Sequence, residues 1–534
     1  MSADPVGVLI IGAGASGAAF AWSIADLGVS VLCLEQGPWM RQQDYPSTGM
    51  DWEARMMTDF STNPNVRGLS ADYPVNDTES PISPLMFNAV GGSTILWAAH
   101  FPRLTPGDFH VRTSDGVADD WPISYSTLEP YYSTNDKMMG VSGLAGDPAY
   151  PYHEPPLPAL PLGAAGNKLA SGFEKLGWHW WPSDTAILSQ DYEGRAKCIN
   201  LGPCISGCAQ GAKASTDITY WQEAQRNKVQ VRSGCRVREI TVGPDGNATG
   251  AIYFDESGIE HHQPAEMVVL GCNGVGTPRL LLNSVSAQHP DGLANSSGLV
   301  GKNLMFHPNA RVTGIFEGDL QSSRGPIGSM LWSHEFYGSD PSRGFVRGYS
   351  MEGVRGFGPA LTALYGMAMG TFPWGADHHR AFDSVYGHTV SVALHAEDLP
   401  EESNTVTLDP ELKDSNGIPA PKITYTLSDN STKMLAHAVE RATEVLEAAG
   451  AVDTMVEPLV REAGWHLMGT ARMGTDPTTS VVNEWGRAHD VKNLFIVDGS
   501  IFVTAGGVNP TSTIQALALY IADQVKQNID GIFG

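Results

Sequence analysis

A short run rich in β-branched residues, Val6 to Ile11, leads at once into Gly12-x-Gly14-x-x-Gly17, and an alanine-rich helical stretch from Ala18 to Leu27 follows, ended by Gly28. A second apolar strand, Val29 to Leu34, then delivers an acid, Glu35. Few folds accept this order, because each part has a mechanical task in a β-α-β dinucleotide turn. The first glycine makes the tight turn, the second lets main chain approach a pyrophosphate, and the third lets helix and strand pack closely; the acid holds ribose hydroxyls. Amide donors and the positive end of the helix dipole then face the phosphates. Gly12, Gly14, Ala15, Ser16, Gly17 and Glu35 are therefore expected at a nucleotide. Taken alone the glycine triplet is weak, since glycines also serve bland turns; strand, helix and acid in register make it specific.

The rest of the chain is long enough for two or three domains at 534 residues. Charged residues are only 17% of it, against roughly 25% in an average soluble chain. Its 59 glycines and 35 prolines point to many tight turns and close main-chain approaches. A net charge of −25 argues against nucleic acid and anionic membrane surfaces, whose binding relies on Lys and Arg. With no 18-residue apolar run and a first strand near Val6, no leader or membrane span is expected, and the protein reads as cytoplasmic. Six cysteines in so long a chain are no disulfide scaffold, and the Asn-x-Ser/Thr sites at Asn247 and Asn295 are then chance matches.

Along the chain, residues 41–83 are irregular and polar, and six prolines between Asp147 and Leu162 suggest an extended crossing segment. Strands are read at Val229 to Arg232, Val237 to Val242 and Thr249 to Phe254, and the buried run Met267 to Leu270 leads into Gly274 to Pro278. Strand-like alternation occupies Met305 to about Tyr425. A long amphipathic helix follows, capped by Ser428 or Asp429 and ended by Gly450. A last strand, Leu494 to Val497, ends in Asp498-Gly499, where a carboxylate can accept from ribityl hydroxyls, and a helix from Pro510 closes the chain. The glycine turn does not decide between NAD and FAD. Pairing N- and C-terminal segments around one nucleotide is more typical of flavoproteins.

These motifs, with Ala89-Val90-Gly91-Gly92-Ser93-Thr94, Val300 to Leu304, His466-x-x-Gly469-Thr470 and Asn509-Pro510-Thr511, resemble the glucose-methanol-choline family of FAD-dependent oxidoreductases over nearly the whole chain. The resemblance implies an α/β protein, α+β overall, with a Rossmann-type FAD-binding domain and a substrate domain built on an antiparallel sheet. The first is expected at 1–304 and 480–534, with irregular insertions at about 41–83 and 145–195, and the second at 305–479. Further FAD contacts are implied at Gly91, Gly92, Ser93, Val237, Asp498, Gly499, Asn509, Pro510 and Thr511. In relatives with a histidyl flavin a His precedes the residue matching Trp97; Leu96 stands there, so the FAD is expected to be non-covalent.

Oxidising an alcohol, polyol or sugar to a carbonyl sends the hydroxyl proton to a base and the carbon's hydride to flavin N5. His466 matches the family's histidine and is the expected base. The bland alternative, a hydrogen-bonded core histidine, is outweighed by that match. Asn509 matches the partner position and would hydrogen-bond the substrate hydroxyl, although Asn before Pro510 is also a good helix N-cap. His307 is read as shaping structure rather than catalysing, and Trp332, His334, Tyr349, Trp374 and His395 as pocket walls.

Cys198-x5-Cys204-x3-Cys208 is similar to the spacing of glucose dehydrogenases carrying a [3Fe-4S] cluster. The run after it looks more like the long-chain alcohol oxidase branch, so three buried thiols near the cofactor are the preferred reading. Oxygen or a quinone-type acceptor would reoxidise the flavin, and an electron-transfer partner subunit fits the second case. The rival readings are an NAD-linked dehydrogenase, which would be colourless, and a flavin-bearing subunit without catalysis, which no alcohol would bleach.

Overall fold

The structure, a computed structural model, describes residues 4–326, 330–368, 370, 372–529 and 531. Its first sheet is parallel at its centre, in the order Gln230–Arg232, Val31–Leu34, Val6–Ile11, then the C-terminal half of Glu260–Leu270, then Leu494–Ile496. Val8, Leu9 and Ile10 are fully buried, as expected where helices cover a parallel sheet and no polar alternation is needed. The helices Ala15–Ile24 and Thr511–Gln527 pack on each other against this sheet. The glycine turn and the C-terminal strand thus share one sheet although they are almost the whole chain apart.

The strand Glu260–Leu270 serves two sheets. From Ala265 it pairs parallel with Val6–Ile11, whereas Glu260 to Pro264 pair antiparallel with Ala248–Phe254, which in turn pairs with Arg236–Val242. Pro264, which has no N–H to donate, stands at the changeover. The sequence showed only the Met267 to Leu270 half, because the other half is polar and faces outward.

The second large sheet is antiparallel and six-stranded: Asp453–Glu457, Asn309–Ile315, Thr389–Ala396, Tyr349–Arg355, Leu331–Ser333 and Trp181–Pro182. Its last strand comes from 181–182, before the stretch in which alternation was read. Ala310 and Val312, Val392 and Leu394, and Tyr349 and Met351 point into a core closed by the helices Asp429–Ala448 and Gly163–Leu176. The residues between them, Asn309, Arg311, Ala393, His395, Glu352 and Val354, face the opposite way into a cavity. Period-two alternation therefore separates a greasy face from a working face. The Asp429–Ala448 helix begins where expected: Ser428 accepts from the Ser431 amide at 3.0 Å.

The first helix starts three residues earlier than its alanine content suggested, at Ala15 directly after Gly14. Gly274 to Pro278 also lie inside a helix, Asn273–Asn283. The Pro-rich stretch 147–162 forms little regular structure beyond the short strand Leu157–Pro158.

Candidate active site

One cavity of about 410 Å3 runs between the two sheets, from the glycine turn to the polar face of the six-stranded sheet. At its first end, Gly12 has φ +99°, and a Cβ there would lie 2.4 Å from the Gly271 carbonyl oxygen; at Gly17 it would lie 2.1 Å from the Gly12 oxygen. These two glycines are required by packing. Gly14 differs: a Cβ there would meet nothing within 4 Å, because the residue borders the cavity. That open cradle beside the start of a helix is what a pyrophosphate needs. Glu35 accepts from the Ala13 amide at 2.8 Å and from the Gly37 amide at 2.8 Å, which fixes its carboxylate at the cavity edge. Burial pushes its pKa up to about 7. Asp498 accepts from the Ser500 amide at 2.9 Å and from Thr277 Oγ1 at 2.5 Å, and burial raises it too. The cavity between these carboxylates has the donors, acceptors and bare main chain to hold a dinucleotide such as FAD.

The other end is a histidine cluster. His307 is buried, and its Nε2 lies 2.7 Å from the Gly506 carbonyl and 3.3 Å from that of Ala505. Two carbonyls require a donor, so Nε2 carries the proton and Nδ1 is left as an acceptor. His466 Nδ1 lies 2.7 Å from that atom and must donate to it. The consequence falls on the far side of the second ring: His466 Nε2 keeps a bare lone pair, and His466 lines the cavity. Burial, then His307, His395 and His100, hold the His466 pKa well below its usual value; burial and then His395 lower His307 to about 3. Both rings are neutral at physiological pH.

Across from them, Glu352 joins two more histidines. His100 Nδ1 lies 2.7 Å from Glu352 Oε1, and His395 Nε2 lies 2.8 Å from Oε2. Burial pushes the Glu352 carboxyl up, but His100 and His395 outweigh it and hold it at about 2. The His395 ring centroid is 5.8 Å from that of His466.

Of the expected residues, Gly12, Gly14, Ala15, Ser16, Glu35, Gly92, Ser93, Val237, Asp498, Gly499, His466, Asn509, Pro510 and Thr511 all line this one cavity. Gly17 and Gly91 do not. Gly17 packs helix on turn, and Gly91, at φ +106°, donates its amide N–H to the Ala13 carbonyl at 2.9 Å and backs onto Asp217. Leu96 lines the cavity and is fully buried. Asn509 is not the cap of the last helix: Pro510 occupies that position, with no side-chain cap bond, and the helix begins at Thr511.

Among the residues read as pocket walls, His395 lines the cavity. Trp332 stacks behind His100 at 5.2 Å, His334 bonds Tyr150, Tyr349 bonds His437 on the greasy side, and Trp374 is 92% exposed. Sequence reasoning missed His100, Asn309, Arg311 and Glu352. The last three carried a signal, since each is a polar residue at every second place of a strand whose other face is apolar.

Cys198, Cys204 and Cys208 lie in the loop that brings Ile205 to the cavity wall; each is half-buried rather than buried. Among the described residues no group of three His, Cys, Asp or Glu is arranged to hold a metal ion, and no helix is long and apolar enough to cross a membrane.

Two GMC oxidoreductase family profiles match residues 9–309 and 400–518. The chain is similar to a 2-methyl-1,2-propanediol dehydrogenase of Mycolicibacterium austroafricanum, at 42% identity over 99% of this chain and 97% of the relative. It is similar also to the fructose dehydrogenase large subunit of Gluconobacter japonicus, at 29% identity over 99% and 98%. Pyridoxine 4-oxidase from Mesorbium loti has the same fold, with a TM-score of 0.67 at 17% identity over 97% of this chain and 98% of that one. A doubly glycine-lined nucleotide cradle facing a neutral histidine pair, and profiles that together cover most of the sequence, lead to one statement: this chain is an enzyme of the GMC oxidoreductase family.

Proposed function

We propose that the chain oxidises the carbinol carbon of an alcohol, polyol or sugar to a carbonyl, using FAD held without a covalent bond. The single observation that carries this reading is the proton order of the histidine pair, which leaves His466 Nε2 as a bare acceptor at the cavity wall. Names of relatives agree with it, since one acts as a diol dehydrogenase and another as a fructose dehydrogenase. In this reading residues 1–304 with 480–534 hold the cofactor and residues 305–479 carry the substrate wall, except that the helix Gly163–Leu176 and the strand Trp181–Pro182 from the first range belong to the substrate-side sheet and its core.

Gly12 to Ser16, the Thr511 end of the last helix, Glu35 and Asp498 would hold the dinucleotide, and Gly92, Ser93 and Leu96 border the same space. Bound FAD supplies the acceptor that takes the carbinol hydride. His466 Nε2 takes the hydroxyl proton, so the alcohol loses one proton and one hydride and becomes a carbonyl. His307 is the positioning residue that fixes the His466 tautomer. The Asn509 side-chain amide has no hydrogen-bond partner among the described residues and lines the cavity, so it is free to donate to the substrate oxygen.

The test is an anaerobic screen of alcohols and sugars that follows loss of oxidised-flavin absorbance. Bleaching by an alcohol is the expected result. A colourless protein would overturn the flavin, and a yellow protein that no alcohol or sugar bleaches would overturn the reaction. Reoxidation by air with peroxide formed would identify oxygen as acceptor; fast turnover with a quinone alone would identify a dehydrogenase, for which a partner subunit is proposed as in the fructose enzyme's name.

A further inference from the structure

The proton order of the histidine pair hangs on one peptide plane. His307 Nε2 donates to the Gly506 carbonyl at 2.7 Å, and the N–H of the same peptide unit, that of Gly507, donates to Tyr337 Oη at 2.9 Å. A trans peptide is flat and its C=O and N–H point opposite ways, so holding the N–H fixes where the carbonyl aims. The plane lies between two glycines, whose backbones resist its rotation least, and Gly506 itself sits at φ +64°. Turned over, it would present its N–H to His307 Nε2 in place of the carbonyl. Nε2 would then accept, the proton would move to His307 Nδ1, and His466 Nδ1 would accept from it. His466 Nε2 would be left carrying the proton, with no lone pair for the substrate. The Ala505 carbonyl, at 3.3 Å, is the weaker of the two acceptors that hold His307 the right way.

The surroundings of Tyr337 hold the plane one way only. An amide N–H can only donate, so Oη accepts from Gly507 and its own hydrogen goes to the Asp108 carboxylate at 2.9 Å. Burial, then Asp108 and Glu397, push the phenol well above its ordinary value, so it keeps that hydrogen. Asp108 is fixed in turn by the Thr105 amide at 2.6 Å and by Arg347 at 2.5 Å. Arg347 reaches it from a left-handed backbone, φ +65°, which non-glycine residues rarely adopt. The ring packs closely on the loop as well: a Cβ on Gly507 would lie 2.9 Å from Tyr337 Cε2. We propose that Tyr337 is a positioning residue, whose hydroxyl orients the Gly506–Gly507 peptide and, through His307, keeps the proton off His466 Nε2. Its part in a reaction rests on the alcohol-oxidation reading above, whereas the proton order it sets rests on these contacts alone.

Tyr337→Phe keeps the ring and removes only the oxygen. Nitrogen NMR of FAD-loaded protein with isotope-labelled histidine reads the tautomer directly, the His466 signal being assigned by its absence from His466→Ala. That signal should show an unprotonated Nε2 in the unsubstituted protein and move towards the protonated form in Tyr337→Phe. Anaerobic flavin reduction, followed with the alcohol or sugar that bleaches the unsubstituted protein fastest, should slow by about tenfold with an unchanged substrate dissociation constant. Because Tyr337 acts through His307, adding Tyr337→Phe to His307→Leu should slow reduction by less than about threefold further. Ser350→Ala removes a 2.6 Å bond to the next carbonyl, that of Gly507, and leaves both bonds of the clamped plane in place; its own effect should also stay below about threefold. A protonated Nε2 in the unsubstituted protein, a signal that Tyr337→Phe does not move, effects at Tyr337 and His307 that multiply, or a loss in Ser350→Ala as large as that in Tyr337→Phe would overturn the positioning role. A signal that moves as expected in a protein that no alcohol or sugar bleaches would leave the proton order standing and overturn the reaction it serves.

Discussion

Replacing His307 by leucine tests the proton order on which the proposed base depends. The substitution removes two contacts: the acceptor of His466 Nδ1–H at 2.7 Å and the donor to the Gly506 carbonyl at 2.7 Å. The first loss leaves a buried N–H without a partner, worth about 1–3 kcal/mol. His466 can escape that cost by turning its ring or moving the proton to Nε2, and either response withdraws the lone pair from the substrate. At ~1.4 kcal/mol per tenfold, flavin reduction should slow by about fivefold to 150-fold. The second loss frees residues 505–507, just before Asn509, and adds in the same direction. Rapid-mixing reduction without oxygen is the assay, with FAD content measured on the same sample. His307→Gln is the control, because a carboxamide offers an oxygen to His466 and an N–H to Gly506; it should recover part of the rate. Unchanged reduction in His307→Leu with FAD in place would refute the tautomer argument.

His466→Ala should keep FAD bound and slow anaerobic reduction by at least about a hundredfold, the lower end for losing a general base; a near-normal rate removes the residue from the chemistry. Because burial and the neighbouring histidines hold the His466 pKa well below 6.5, the base is unprotonated at neutral pH, and activity is lost only as pH falls through that low value. The profile of kcat/KM should therefore be flat from pH 8 to below pH 6.5, and an acid limb centred at or above 6.5 would contradict the assignment. Acid precipitation should release all the flavin, since Leu96 cannot form a histidyl bond; colour kept in the pellet would contradict that. Protein purified without oxygen should contain well under one iron per chain, and stoichiometric iron with acid-labile sulfide that vanishes in Cys204→Ser would reverse the reading of the three cysteines.

The nucleotide end was legible because its parts are local. Gly12, Gly14 and Gly17 sit within six residues, and the positive φ of Gly12 and the approach of Gly17 to the Gly12 carbonyl are set within that turn, although the carbonyl packed on Gly12 belongs to the distant Gly271. The long helix was legible for the same reason, with Ser428 and Gly450 marking its ends. The strand Glu260–Leu270 was half legible, since its polar half pairs with a meander and buries little. Asn509 shows the limit of a local rule: Asn before Pro is a good cap in general, yet here the helix starts one residue later and the side chain is left at the cavity.

The histidine cluster was not legible, because its order comes from contacts hundreds of residues apart. His307 acquires its tautomer from Gly506, and His100 and His395 acquire theirs from Glu352 on a third segment. That arrangement also sets the electrostatics around the proposed base. A base whose pKa lies well below 6.5 would be a poor proton acceptor if its surroundings stayed as they are. Desolvation is the largest cause of the lowering, and it acts only against the charged ring. An ionised Glu352, held at about 2 by His100 and His395, stands behind His395 on a cavity wall that also carries the Arg311 guanidinium. Any protonated neighbour would repel the imidazolium formed at His466. Keeping His307 neutral, which burial and then His395 do against the opposing pull of its two backbone carbonyls, matters as much as its geometry: it holds the proton of His466 in place without adding a second positive charge beside the one the reaction creates.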